Sequence, residues 1–161
     1  MPKIQVQNLT KIFGQRPHRA LQLLHQGKTK QEILQETGLT VGVSRASFDV
    51  QAGEIFVIMG LSGSGKSTLV RMLNRLIDPT EGKILIDGED IVQMNTEELQ
   101  KVRRKKLGMV FQKFALFPHR TVLENVAYGM EVQGIAKSER EKKAAESLAL
   151  AGLAGWGKSY P

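Results

Sequence analysis

The sequence predicts an α/β fold, and two observations carry that prediction. Strand-like and helix-like segments alternate along the chain. Among them lies a glycine-rich loop, Gly60-Leu61-Ser62-Gly63-Ser64-Gly65-Lys66-Ser67, placed between an apolar β-branched run and an amphipathic helix. The chain has 161 residues, 41% hydrophobic and 24% charged, which suits one globular domain and excludes wholesale disorder. Cysteine is absent, which excludes a disulfide scaffold, a zinc ribbon and a thiol nucleophile. No uncharged stretch nears the roughly 18 residues that span a bilayer, and MPKIQVQNLT lacks the apolar centre of a secretory signal. A cytoplasmic location is therefore expected. The net charge of +7 favours an anionic partner. It is concentrated in Lys101, Arg103, Arg104, Lys105 and Lys106, for which a solvated helix face with a Glu97–Lys101 pair is expected.

Residues 4–13 alternate loosely, with Ile4, Val6 and Leu9 apolar, and predict a first strand. Residues 18–26 put Leu21 and Leu24 on one helical face, and Gly27 ends that segment. Thr29 and Glu32 form a capping-box pattern opening a second short helix, with Gly38 as its stop. Residues 14–46 as a whole are expected to be a helical insert. SFDVQ (47–51) predicts a strand, and EIFVIM (54–59) a buried central one. After the glycine-rich loop, Leu69, Leu73, Leu76 and Ile77 predict a helix that Asp78-Pro79 ends. KILID (83–87) predicts a strand, Asp87-Gly88 a hairpin turn, and Asn95 to Glu98 the start of a helix closing in the basic cluster. LGMVF (107–111) predicts a strand leading into Gln112, and residues 121–130 a helix. Ser138 to Glu141 predicts a further capping box, on a helix running to about Ala151.

The loop fits G-x-x-x-x-G-K-[ST] without a mismatch. Its glycines let consecutive backbone N–H groups turn inward onto phosphate oxygens, and the following helix offers its positive end to the same phosphates. This chemistry predicts ATP binding with Mg2+. Gly60, Ser62, Gly63, Ser64 and Gly65 would form the cradle. Lys66 would reach the β- and γ-phosphates, Ser67 would ligate the metal, and Thr68 would donate to the α-phosphate. An acidic strand end for the metal is not evident. Its one look-alike, Asp87, is followed by glycine and reads as a turn.

The stretches GEIFVIMGLSGSGKSTLVRMLNRL, PTEGKILIDGEDI, LGMVFQ and TVLENVAYGM resemble, in order, the ATP-binding subunit of ABC transporters. Gln112 lies 46 positions after Lys66, as that family's Q-loop would. The insert, with MVFQKFALFPHRTVLENVAYGMEVQG, resembles the subunit that energises glycine betaine/proline betaine uptake in bacteria. The resemblance implies a RecA-like P-loop NTPase core, with an antiparallel β subdomain, the insert, and the start of a helical subdomain over 121–151. The core is expected to be incomplete. It implies that Phe13 stacks on adenine, that Gln112 touches Mg2+ and the attacking water, and that Phe114 to Pro118 border the groove for a permease. A second ATP-binding subunit joined head to tail, and indirectly a substrate-binding protein, are the further implied partners, with no nucleic acid. The place implied is the cytoplasmic face of the inner membrane. The signature motif, the acidic Walker B strand and the switch histidine of that family are not found in residues 1–161, so this stretch alone is not expected to be catalytically competent. Two other readings stay open. One is a different P-loop NTPase or small-molecule kinase, with 101–106 imitating an Arg-rich lid. The other is a helix-turn-helix DNA-binding module over QEILQETGLTVGVSRAS, which would set Gly42 inside the recognition helix.

Overall fold

The computed structural model describes residues 1–111 and 116–161. These divide into two compact units, Met1–Leu99 and Gln100–Pro161.

The first unit is built on a four-stranded antiparallel sheet in the order β2-β1-β3-β4. Strand β1 (Ile4–Phe13) is central and pairs on one side with β2 (Thr40–Val50) and on the other with β3 (Glu81–Ile86). Val6, Leu9 and Ile12 are buried, as are Val41, Val43, Ile84 and Ile86. The spacing of three between Val6, Leu9 and Ile12 is not simple alternation, and the β1–β2 register shifts between Val6 and Leu9 and again before Ile12. Strand β3 reverses into β4 (Glu89–Asp90) through Asp87 and Gly88, both at positive φ (52° and 81°). Two positive φ values are what a two-residue type I′ hairpin needs, so Asp87 is a turn residue, as its following glycine foretold.

Between β1 and β2 lie α1 (His18–His25) and α2 (Lys30–Thr37). Ala20, Leu24 and Ile33 bury against Ile12 and Val41 and form a small core of their own. Thr29 and Glu32 make the foreseen reciprocal cap, and Gly38 ends α2 in the left-handed conformation at φ 70°. The insert is shorter than expected. Residues 40–46, read as its tail, are the first half of β2, because Val41 and Val43 alternate into the sheet interior opposite Ile12 and Lys11. A strand at this position also removes the recognition helix that the DNA-binding reading requires.

Two expected strands do not form. Residues 54–59 and 107–111 carry no ladder partner among the described residues, and Ile55 and Val110 are 91% and 98% exposed. Apolar β-branched composition favours a strand only when another strand supplies hydrogen bonds. The antiparallel sheet of this unit does not extend to residues 54–59. Helix α3 (Lys66–Leu73) is also shorter than the apolar spacing suggested. It stops before Arg75, which takes a positive φ of 52° and donates its guanidinium to the Ile91 and Met94 carbonyls.

Helix α4 (Thr96–Lys106) crosses from the first unit into the second. Asn95 and Glu98 cap it reciprocally, each backbone N–H donating to the other's side chain at 3.0 Å. Its last turn collects Arg103, Arg104, Lys105 and Lys106, the favourable end for cations.

The second unit pairs α5 (Val122–Val132) with α6 (Lys137–Leu150). Ala127, Ala144 and Leu148 are buried. The predicted capping box at Ser138 is absent. Helix α6 starts two residues earlier, with Ala136 at its N-cap and no side-chain cap, so Ser138 already lies in the first turn. A capping box exists instead at Thr121 and Glu124. The Glu124 and Glu32 carboxylates both accept from the capping threonines, and these bonds hold their pKa values below the ordinary 4.5. A lowered carboxylate pKa means that the charged form is favoured in the folded state. The support it lends is whole above the ordinary value and is lost as pH falls through the lowered one. Amide protection factors, taken relative to intrinsic exchange at each pH, should therefore fall at the first turns of α2 and α5 on acidification through that range, ahead of those in β1.

Asn125 ties down the segment before α5. Its Oδ1 accepts from Phe117 N at 2.7 Å, and its Nδ2 lies 2.9–3.1 Å from the Phe117, Arg120 and Thr121 carbonyls. Phe117 then sits edge-on to Tyr128 at 4.7 Å, with the Arg120 guanidinium over both rings. Asn125→Ala leaves half-buried backbone groups without partners and should cost about 2 kcal/mol, read by denaturant unfolding. Phe114 and Ala115, named with Leu116, Phe117 and Pro118 as a permease groove, lie outside the described residues.

Candidate functional site

Strand β2 leads into the glycine-rich loop through a turn at 51–53. Gln51 N donates to the Glu54 carboxylate at 2.6 Å, and Gly53 takes a φ of 77°. Phe56 then stacks on Phe48 of β2, with centroids 4.7 Å apart and planes within 10°. This contact anchors the segment that enters the loop.

The loop curls as its glycines permit. Gly63 and Gly65 have φ of 77° and 99°, a region that side chains disfavour. Ser64 N donates to Leu61 O at 3.2 Å and closes a turn. Gly65 is the N-cap of α3, so the helix opens directly onto the loop. The Lys66 ammonium folds back across it and donates to the Gly60 and Leu61 carbonyls at 2.7 and 2.6 Å. A cation therefore stands inside a ring of backbone, at the positive end of a helix with no acidic residue in its first turn.

One cleft of about 250 Å³ is lined by Phe13, Thr40, Gly42 and the continuous run Gly63 to Thr68. It brings Phe13, at the end of β1 and 40% exposed, beside Gly63, Ser64, Gly65, Lys66, Ser67 and Thr68. A second cleft of about 340 Å³ adjoins the other side of the loop and includes Gly60, Ser64, Gly65 and Lys66. Ser62 is exposed at the loop tip and lines neither cleft. Gln112 lies outside the described residues.

Gly42 is the residue that sequence reasoning missed. A Cβ there would meet Phe13 Cε2 at 2.7 Å, and a Cβ on Gly65 would meet the Gly42 carbonyl oxygen at 2.3 Å. Gly42 thus lets β2 approach the aromatic ring and the loop together. A glycine within a β-patterned run signals such an approach. Its assignment to a helical insert hid that signal. Lys11 Nζ lies 5.4 Å from the Phe13 centroid, a cation–π contact with the same ring. The cleft thus has an aromatic ring at one end, and a glycine-rich loop that opens a helix, with a lysine, at the other.

Among the described residues no cluster of three or more metal-ligating side chains occurs, and no helix is long and apolar enough to cross a membrane.

The chain is 64% identical over 161 residues to the glycine betaine/carnitine transport ATP-binding protein of Listeria monocytogenes, covering 100% of this chain and 41% of that protein. It is 57% identical over 159 residues to the glycine betaine/proline betaine transport system ATP-binding protein of Escherichia coli, covering 99% and 40%. The chain thus spans about two fifths of the length of these curated relatives. Its fold superposes with a TM-score of 0.76 on an ATP-binding cassette solved as a dimer after hydrolysis, bound to ADP and Pi. That match has 31% identity and covers 98% of this chain and 61% of the cassette. Residues 43–160 match the model of the ABC transporter family. By this match and these relatives, the chain belongs to the ABC transporter family and shares the fold of its ATP-binding cassettes.

Proposed function

We propose that the intact protein is the ATP-binding subunit of an importer and couples ATP hydrolysis to uptake of glycine betaine and proline betaine. The observation that carries the nucleotide half of this reading is the single cleft shared by Phe13 and the run from Gly63 to Thr68. The choice of cargo rests on the likeness to betaine-transport relatives.

In this reading the Phe13 ring stacks on adenine. Backbone N–H groups of Gly60, Ser62, Gly63, Ser64 and Gly65 surround the phosphates. Lys66 exchanges its two carbonyl partners for β- and γ-phosphate oxygens, a charge-assisted and therefore stronger contact. Thr68 donates to the α-phosphate. Mg2+, when bound, would neutralise phosphate charge, with Ser67 and Gln112 as its protein ligands. Gln112 would also orient the attacking water. The residues that border the cleft fit such a tenant, since the lining contains lysines, hydroxyls and glycines but no carboxylate. The partners proposed are a transmembrane permease, a second ATP-binding subunit arranged head to tail, and, through the permease, a substrate-binding protein. The place proposed is the cytoplasmic face of the inner membrane.

The test is uptake. Cells without betaine transport, given the intact subunit with its permease and binding protein, should accumulate labelled glycine betaine. The same cells carrying Lys66→Ala should not. Uptake that is indifferent to Lys66 would contradict the reading.

A further inference from the structure

The helical insert sends one residue to the phosphate loop. Lys30, the first residue of α2, lines the cleft that also contains Gly60, Ser64, Gly65 and Lys66. Its Nζ lies 3.4 Å from the Gly42 carbonyl oxygen. That same oxygen is the one packed against Gly65, where a Cβ would come within 2.3 Å of it. Gly42 thus joins Lys30 to the loop through a single carbonyl group.

The charge balance at this point is one-sided. The two clefts flanking the loop are lined by Lys30 and Lys66 and by no aspartate or glutamate. Lys28, two residues earlier, differs: it pairs with Glu36, and its pKa is raised by that contact. Among the described residues Lys30 has no carboxylate within salt-bridge distance, and its one hydrogen bond is the long one to Gly42. An ammonium has three donors. A long flexible stem lets those donors move several ångströms toward an anion at little cost.

We propose that Lys30 is a second cationic contact for the anionic part of the bound nucleotide, supplied by the insert and not by the phosphate loop. This rests on the nucleotide reading of the adjoining Phe13 cleft, which shares Ser64, Gly65 and Lys66 with the cleft that Lys30 lines, and extends that reading to a residue outside the P-loop. A consequence is that the position of α1 and α2 and the occupancy of the cleft are linked. Whatever shifts α2 changes nucleotide affinity, and nucleotide binding draws α2 toward β2.

The experiment measures affinity of the intact subunit for ATP, ADP and adenosine by calorimetry, with Lys30→Met, Lys30→Arg and Lys66→Ala beside the parent. Lys30→Met keeps the apolar stem and removes the charge, and at an exposed site it should leave the unfolding midpoint unchanged. The proposal predicts that ATP and ADP bind roughly fivefold more weakly to Lys30→Met, with adenosine unaffected and Lys30→Arg near the parent. It also predicts a shallower salt dependence of ADP affinity in Lys30→Met. Unchanged ATP and ADP affinity in Lys30→Met, with Lys66→Ala impaired, would overturn the role of Lys30 and leave the nucleotide site standing. Equal weakening for adenosine would overturn it too, by pointing to general damage of the cleft. No effect from either lysine would overturn both the proposal and the reading beneath it.

Discussion

Lys66→Ala should lower the affinity of the intact subunit for ATP by about a hundredfold, or about 2.7 kcal/mol. The side chain stands at the mouth of α3 and already spans the loop, bonded to the Gly60 and Leu61 carbonyls. Those carbonyls are accessible to water, so losing the ammonium costs the fold little, within about 1 kcal/mol. The loss falls instead on the ligand, because the phosphate oxygens forfeit a charged donor held at the end of a helix. The two readouts therefore separate. Thermal unfolding should hardly change while ATP and ADP binding collapse and adenosine binding survives. Calorimetric titration of the variant checks this, and parental ATP affinity would contradict it.

Gly65→Ala should act through structure. The residue has a φ of 99°, where a side chain is strained, and its Cβ would sit 2.3 Å from the Gly42 carbonyl oxygen. That oxygen sits at an irregularity of the β1–β2 register, between Val41 and Val43, which are paired with Ile12 and Lys11, so moving it disturbs the paired residues on either side, beside Phe13. Strain and overlap together should cost about 3 kcal/mol of stability. They should also abolish measurable nucleotide binding, since the loop must lift away from β2. Gly63→Ala is the internal comparison. Its φ of 77° is similarly unfavourable, yet no atom lies within 4 Å of its Cβ. It should cost about 1 kcal/mol. Denaturant unfolding of the two variants isolates the contribution of the Gly42 contact. Equal costs would mean that the contact is unimportant.

Local signals read true where local chemistry decides. Thr29 with Glu32, Gly38 after α2, and Asp87-Gly88 between β3 and β4 all do what their residue types permit, because each feature is satisfied within a few residues. The phosphate loop was legible for the same reason: its glycines and lysine act on their own backbone. The failures share a different cause. EIFVIM and LGMVF have strand composition, but a strand is completed by its neighbours, and none of the described residues pairs with them. Ser138 satisfies a spacing rule, yet α6 begins two residues sooner, with Ala136 at its N-cap, and takes the serine into its first turn. TVGVSRA is placed wrongly when residues 14–46 are read as one helical insert, although Gly42 already speaks against a helix there. Its use becomes visible only when Phe13 and Gly65 are seen to press on it from two sides. The aromatic and the loop are about fifty positions apart in sequence, and only the pairing of β1 with β2 places them in one cleft.

The central claim is that this cleft receives a nucleotide by its phosphates. The most direct measurement is a titration of ADP into the isotope-labelled intact subunit, following backbone amide resonances. The account predicts large shifts at the N–H groups of Gly63, Ser64, Gly65, Lys66, Ser67 and Thr68, with ring-current shifts around Phe13 and Gly42. It predicts no change around the separate polar cleft of Gln7, His25, Arg45 and Lys83. Shifts confined to that other cleft, or a loop that stays silent while ADP binds, would contradict it.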